Sequence, residues 1–267
     1  MMKKRLFCLK IESERNVKYM SLLEEITPSP RRVMTLFYII DTSESMNGTR
    51  IGTVNSAMEE CQELLKEIAK ANDDAEIRVA VMQFSSGCTW ITPASGPVEL
   101  DNWVWSDLKA GGITDFGAAL LELDKKLSRK EFLNSQTGAY APVILLFSDG
   151  GPTDNWEKGL NQLKQNNWFK HAIKIALDIE KSSDRDVLEA FTGNVEAILD
   201  AKDQQTLKKM IHKVSVRASE FQSHSKQSTD TISTAEEDSA DIVKNVVDEM
   251  NNESDETIAD SGDWGQW

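Results

Sequence analysis

The chain has 267 residues, 40% of them apolar and 28% charged, with a formal net charge of -14. That length suits one domain with appendages, or two small domains, and the apolar share is enough for a core. So acidic a chain lacks the basic face that a phosphate backbone requires, which excludes nucleic acid as its main partner and disfavours an anionic membrane surface.

The charge is uneven. Thirteen Asp or Glu against two Lys lie between Ser219 and Trp267, a net of -11, so the acidity belongs to the end of the chain and not to its body. The three cysteines, Cys8, Cys61 and Cys88, have no paired spacing and read as reduced thiols. No window approaches the ~20 apolar residues of a membrane helix. The basic start resembles a secretory signal, but its apolar run ends at Leu9 and is shorter than the ~7–15 residues such signals carry. The expected location is the cytoplasm.

Residues 1–31 lack a clean period and end in Thr27-Pro28-Ser29-Pro30, which reads as an arm or linker, with Met20 an alternative start. Val33 to Ile40 is an almost unbroken apolar run, as in a parallel strand buried on both faces. Ile51 to Ala71 carries an apolar stripe at helical spacing. Ile77 to Phe84 follows as a strand, and Thr89–Ile91 with Val98–Leu100 predict a short hairpin. A helix is predicted over Phe116 to Leu133 and a strand over Val143 to Phe147. Next come a helix from Trp156 to Asn166, a strand from Ala172 to Ile179 and a helix from Asp184 to Phe191. A strand from Ala197 to Leu199 and a helix from Gln204 to Val216 complete the order. Strands alternating with helices predict a doubly wound, Rossmann-like α/β domain, with a mostly parallel sheet and helices on both faces. Its predicted span is 32–218. Residues 219–267 are rich in Ser, Thr and acids and predict a disordered acidic tail. Ile242, Val243, Val246, Val247 and Met250 predict a short amphipathic helix near 240–250 within it.

The chemistry concentrates where strands end. Asp41 closes the first strand and is followed by Ser43 and Ser45. Gly111-Gly112-Ile113-Thr114 precedes a helix, and Asp149 closes the strand over Val143 to Phe147. Ligands of open α/β sheets gather at the carboxyl ends of strands. Carboxylate and hydroxyl oxygens are hard donors that suit Mg²⁺, Mn²⁺ or Ca²⁺. Asp41, Ser43, Ser45, Thr114 and Asp149 are therefore the candidate metal ligands.

In their order and separation these five residues resemble the von Willebrand factor A domains that carry a metal-ion-dependent adhesion site, over roughly residues 33–218. The resemblance implies a binding module and not an enzyme. A Glu or Asp of a protein partner would complete the shell of a Mg²⁺ ion. Ser148 to Trp156 and Val214-Ser215-Val216 are similar to the bacterial TerY-like branch, associated with tellurium resistance. That branch implies a cytoplasmic stress-response adaptor working with a protein kinase and a PP2C-type phosphatase. The chain departs from the common pattern at Glu44, where Gly is usual, and at Ile113, which is inserted in the Gly-Gly-Thr run.

Other readings compete. Asp and Ser also cap helices and form turns, and Asp115 and Asp154 are read as such caps, Asp154 before Trp156. Trp103, Trp105 and Trp156 flank the ligand loops, as binding anchors or as packing on the domain's own rim. Ser219 to Thr234 is either a solvated segment or a phosphorylation target, and Gly262 to Trp267 either a docking peptide or inert. A metal-dependent hydrolase or phosphatase would need a nucleophile or base beside the ion. Asp41 is the candidate, but the second acid of an Asp-x-Asp nucleophile motif is replaced by Ser43. A ubiquitin-receptor-like protein also joins such a domain to an acidic tail, but the stretch around Ile242 lacks the Ala and Ser spacing for ubiquitin.

Overall fold

The computed structural model describes residues 31–72, 75–149, 151–179, 184–201, 203–224 and 234–260. Expectations for residues 1–30, for most of the Ser/Thr run beyond His224, and for Gly262 to Trp267 lie outside them.

The strands are β1 (Arg32–Asp41), β2 (Ala75–Ser85), β3 (Gly87–Trp90), β4 (Val98–Glu99), β5 (Val143–Ser148), β6 (Ile173–Ile179) and β7 (Ile198–Ala201). The helices are α1 (Thr49–Ala71), α2 (Phe116–Lys126), α3 (Trp156–Leu163), α4 (Asn167–Lys170), α5 (Arg185–Thr192), α6 (Gln204–His224) and α7 (Ala235–Asp260). The sheet runs β3-β2-β1-β5-β6-β7, with β4 also on β2. β2, β1, β5, β6 and β7 are mutually parallel, whereas β3 and β4 each pair antiparallel with β2. The predicted hairpin of β3 with β4 therefore does not form: both segments use the open edge of β2.

Nine of the ten β1 residues are buried, because helices cover both faces of the sheet. On one face Tyr38, Leu145, Phe147 and Ile175 pack with α1 residues such as Val54 and Met58 and α6 residues such as Ile211 and Val214. On the other, Phe37, Ile39 and Leu146 pack with Phe116 and Leu120 of α2, Leu160 of α3 and Phe191 of α5. The doubly wound architecture is as predicted. The helix predicted to reach Leu133 stops at Lys126. Phe132 N–H returns to Lys126 O at 3.2 Å, so Phe132 and Leu133 are buried from a turn instead of a helix.

Polar contacts fix the first face. Tyr38 donates to Ser215 Oγ at 2.9 Å, tying α6 to β1. Burial pushes the neighbouring Cys61 thiol up to about 11.

The acidic end of the chain differs most from its prediction. The amphipathic stretch is part of the 26-residue α7, and Ile242, Val243 and Val246 belong to the same core as Tyr38 and Phe147. Thr234 and Glu237 cap α7 reciprocally, through Thr234 N to Glu237 Oε2 at 2.8 Å and Glu237 N to Thr234 Oγ1 at 3.2 Å. Lys174 on β6 is 3% exposed. Its ammonium reaches Glu236 at 3.0 Å, and its backbone N–H reaches Ser239 Oγ at 3.1 Å. Charge alone makes the segment look solvated, but its apolar stripe and Glu236 have partners on the domain. Folded structure thus extends past the boundary at 218.

Candidate metal centre

The site grows out of strand register. β1 and β5 run parallel with Ile40 beside Phe147, which brings Asp41 level with Ser148. Ser148 Oγ donates to Asp41 Oδ2 at 2.8 Å. Beyond Asp41 the chain turns, and Ser43 N–H donates to Asp41 Oδ1 at 2.8 Å. This short Asp-to-backbone bond is the turn chemistry expected of Asp at a strand end. The first loop then enters a single 3₁₀ turn, Glu44–Met46, before α1.

The hydroxyls follow. Ser43 Oγ lies 3.0 Å from Ser45 Oγ, and Ser45 Oγ donates to Asp149 Oδ1 at 2.7 Å. Asp41, Ser43, Ser45 and Asp149 thus form one hydrogen-bonded chain across two strand ends. Asp41, Ser43 and Asp149 are all at or below 2% exposed, while Ser45 opens to solvent.

Thr114 arrives by a separate route. Gly111 N–H donates to Thr42 O at 2.8 Å and Glu44 N–H to Gly112 O at 3.0 Å, so the first and second loops are stitched backbone to backbone. Gly112 has φ +89, a backbone conformation that favours glycine, and a Cβ there would sit 2.6 Å from Ser86 Oγ and push that side chain aside. Thr153 N–H donates to Thr114 O at 2.9 Å, and Thr114 N–H donates to Thr153 Oγ1 at 3.1 Å. Thr114 and Ser148 line one small cavity of about 10 Å³. Among the described residues the Thr114 hydroxyl has no hydrogen-bond partner.

Burial pushes the Asp41 carboxyl above its ordinary value. The Ser43 N–H and the Ser148 hydroxyl pull against this, and the Asp149 charge adds to the rise. Two buried carboxylates on one hydrogen-bonded chain favour a cation. Arg50, the only basic residue between Arg32 and Lys66, partly answers that demand: its Nη1 donates to Asp149 Oδ2 at 2.6 Å and to Ser45 O at 2.7 Å. The donor set is hard oxygen throughout, which fits Mg²⁺, Mn²⁺ or Ca²⁺ better than a soft metal. Among the described residues no group of three or more His, Cys, Asp or Glu is placed to hold a metal. Any ion here therefore depends on the hydroxyls.

Sequence reasoning missed Arg50, Ser148 and the role of Asp154. Asp154 caps α2 from the third loop, not α3: its two oxygens accept from Gly117 N at 2.9 Å and Ala118 N at 3.1 Å. Asn155 caps α3, accepting from Lys158 N. Asp115 stands at the N-cap position of α2 but spends its carboxylate on Gly87 N at 2.8 Å. Trp103 is a core residue, stacked on Tyr38 with centroids 6.2 Å apart, and Trp105 meets it edge-on at 6.4 Å. Trp156 packs on the opposite core. The exposed apolar side chain on the ligand loops is Ile113, 54% accessible.

The family model for the von Willebrand factor type A domain matches residues 36–213. Among solved structures, a von Willebrand factor type A protein from Catenulispora acidiphila aligns with a TM-score of 0.52 and 14% identity, covering 71% of this chain and 43% of that one. Proximal thread matrix protein 1 from the mussel byssus aligns at 0.53 with 16% identity, covering 71% and 48%. The pilus adhesin SpaC from Lactobacillus rhamnosus GG aligns at 0.54 with 14% identity, covering 72% and 31%. The match therefore spans less than half of each of these chains, and at such identities it speaks for the fold alone. A comparison with curated proteins finds no match.

Proposed function

The chain belongs to the von Willebrand factor type A domain family, and on that footing we propose that it is a metal-dependent protein-binding module. Its ion is held by Asp41, Ser43, Ser45, Thr114 and Asp149. Mg²⁺ is the proposed metal, with Mn²⁺ or Ca²⁺ as alternatives. When bound, the ion supplies an electrophilic position that an acidic side chain of a partner protein fills.

One observation carries this reading. Asp41, Ser43, Ser45 and Asp149 are joined by hydrogen bonds of 2.7–3.0 Å at the carboxyl edge of the sheet, with Thr114 on a loop stitched to theirs. Residues far apart in sequence are held ready on rigid elements, which is how a binding constellation is preorganised.

The residue types on the three loops favour binding over catalysis. They supply carboxylates and hydroxyls but no His, the usual base beside a metal-bound nucleophile.

The finer proposal is a cytoplasmic adaptor in a TerY-like stress-response system, with a protein kinase and a PP2C-type phosphatase as partners. It rests on the sequence resemblance over Ser148 to Trp156 and Val214 to Val216. No helix among the described residues is long and apolar enough to cross a membrane.

The test is a pull-down from cell extract with Mg²⁺ or with chelator, comparing wild type with Asp41→Ala. A partner retained only by wild type with Mg²⁺ supports the module. Hydrolysis of an aryl phosphate by wild type, lost in Asp41→Ala, would instead favour a metal-dependent phosphatase.

A further inference from the structure

Arg50 is placed against local preference. It is the second residue of α1, where the positive end of the helix dipole disfavours a cation, and the first turn of α1 holds no acid. A residue that breaks a local rule marks a place where something else is being satisfied. Here that is Asp149, whose side chain is 0% exposed and pairs with Arg50 at 2.6 Å. The same guanidinium nitrogen also holds Ser45 O. Arg50 therefore contacts both residues of the Ser45–Asp149 pair, through the Ser45 carbonyl and the Asp149 oxygen that Ser45 Oγ does not use.

We infer that Arg50 is a tethered counter-cation, which neutralises Asp149 in the metal-free protein and opposes the entering metal. The inference rests on the metal reading above and concerns how tightly that site holds its ion. Asp41 and Asp149 together offer a charge of -2, and Arg50 reduces it to -1. A dication then meets a weaker field and a fixed positive neighbour, so its affinity is held down. Once the ion is in, the group of Asp41, Asp149, Arg50 and metal carries +1. An external carboxylate offsets that charge, whereas without Arg50 the same metal-bound site would be one unit more negative and would attract the carboxylate less. Arg50 thus shifts the preference of the site from the ion alone towards the ion together with a partner's acid.

The experiment is Mn²⁺ titration by calorimetry, alongside metal-free melting, for wild type, Arg50→Gln and Arg50→Met. Both variants remove the charge and keep an unbranched, shorter stem at the same place. The expected result is a pair of opposite changes: a lower metal-free Tm, because buried Asp149 loses a cationic partner, and Mn²⁺ binding roughly tenfold tighter, about 1.4 kcal/mol. A purely structural arginine would lower the Tm with metal affinity unchanged or weaker, and that result overturns the inference. In the unmutated protein, the Arg50 Nε–Hε resonance should move during a Mg²⁺ titration with the midpoint of metal binding; a stationary resonance also overturns it. Absence of saturable Mn²⁺ binding in wild type would sink the metal reading and this inference together. Binding in wild type with no gain in the variants sinks this inference alone.

Discussion

Ser148 donates its hydroxyl to Asp41 Oδ2 at 2.8 Å, from the end of β5 to the end of β1. This bond sets the orientation of a carboxylate that solvent does not reach. Hydrogen bonds to charged groups contribute about 1.5–3 kcal/mol. Ser148→Ala is expected to lower metal-free stability by about that amount and to weaken Mg²⁺ binding roughly tenfold. Urea unfolding and a Mg²⁺ titration measure the two effects; a variant unchanged in both would remove Ser148 from the site.

The raised pKa of Asp41 fixes the sign of a pH effect. Folded Asp41 holds its proton more tightly than unfolded Asp41, whose ordinary value is 3.8. Between that value and the raised one the folded state binds more protons, so raising the pH lowers metal-free stability on this group's account. A dication needs the ionised form and competes with the proton. The Mg²⁺-induced rise in Tm is therefore expected to be largest near neutral pH and to shrink as pH falls through the raised pKa of Asp41. Melting curves with and without Mg²⁺ across that range test it, and a metal increment flat with pH speaks against Asp41.

Asp154 links the third loop to α2. Its carboxylate accepts two N–H groups at the helix start, and Gly117 is hemmed in there, with a Cβ falling 2.8 Å from Asp154 Oδ2. Asp154→Ala is expected to cost about 1–2 kcal/mol, the usual range for a lost cap, while Mg²⁺ still stabilises the variant. Loss of the metal response with full stability would make Asp154 a ligand instead.

α7 is docked through Lys174. Glu236→Ala leaves that nearly covered ammonium with Phe169 alone among the described residues, its carbonyl O at 3.3 Å and its ring centroid at 5.1 Å. A cost of about 1–3 kcal/mol is expected, largely recovered in the Lys174→Met, Glu236→Ala double variant, because a nonpolar pair avoids the stranded charge. Denaturant unfolding of the single and double variants measures it; a neutral single variant would mean that the pair holds nothing. Ending the chain at 225 would also strip Ile242, Val243 and Val246 from the core. Such a truncation is therefore expected to destabilise the domain itself.

Much of the fold was legible because its signals are local. The apolar runs of β1 and β5 and the stripe on α1 are periodic over many residues, and the parallel order follows from strand–helix alternation. The five candidate ligands lie at strand and loop ends, where Asp, Ser, Thr and Gly stand out against apolar runs. Pairings between distant residues were not legible. Nothing near β3 and β4 says that each prefers β2 to the other. Asp154 has the composition of a cap, but its helix is the one 38 residues earlier in the chain. The acidity of α7 masked a capping pattern, Thr234-Ala235-Glu236-Glu237; its apolar stripe was legible, but the partner of that stripe exists only when the sheet is built. Arg50 left one trace: it is the sole cation in a long interval, beside a loop of acids and hydroxyls.

The metal is the centre of the account, and it is tested most directly by following thermal unfolding during a Mg²⁺ titration. Wild type is expected to gain stability with dose, by about 2.7 kcal/mol when Mg²⁺ reaches a hundred times its dissociation constant. Asp41→Ala is expected to show no dose dependence. An equal response in Asp41→Ala, or none in wild type, would contradict the account.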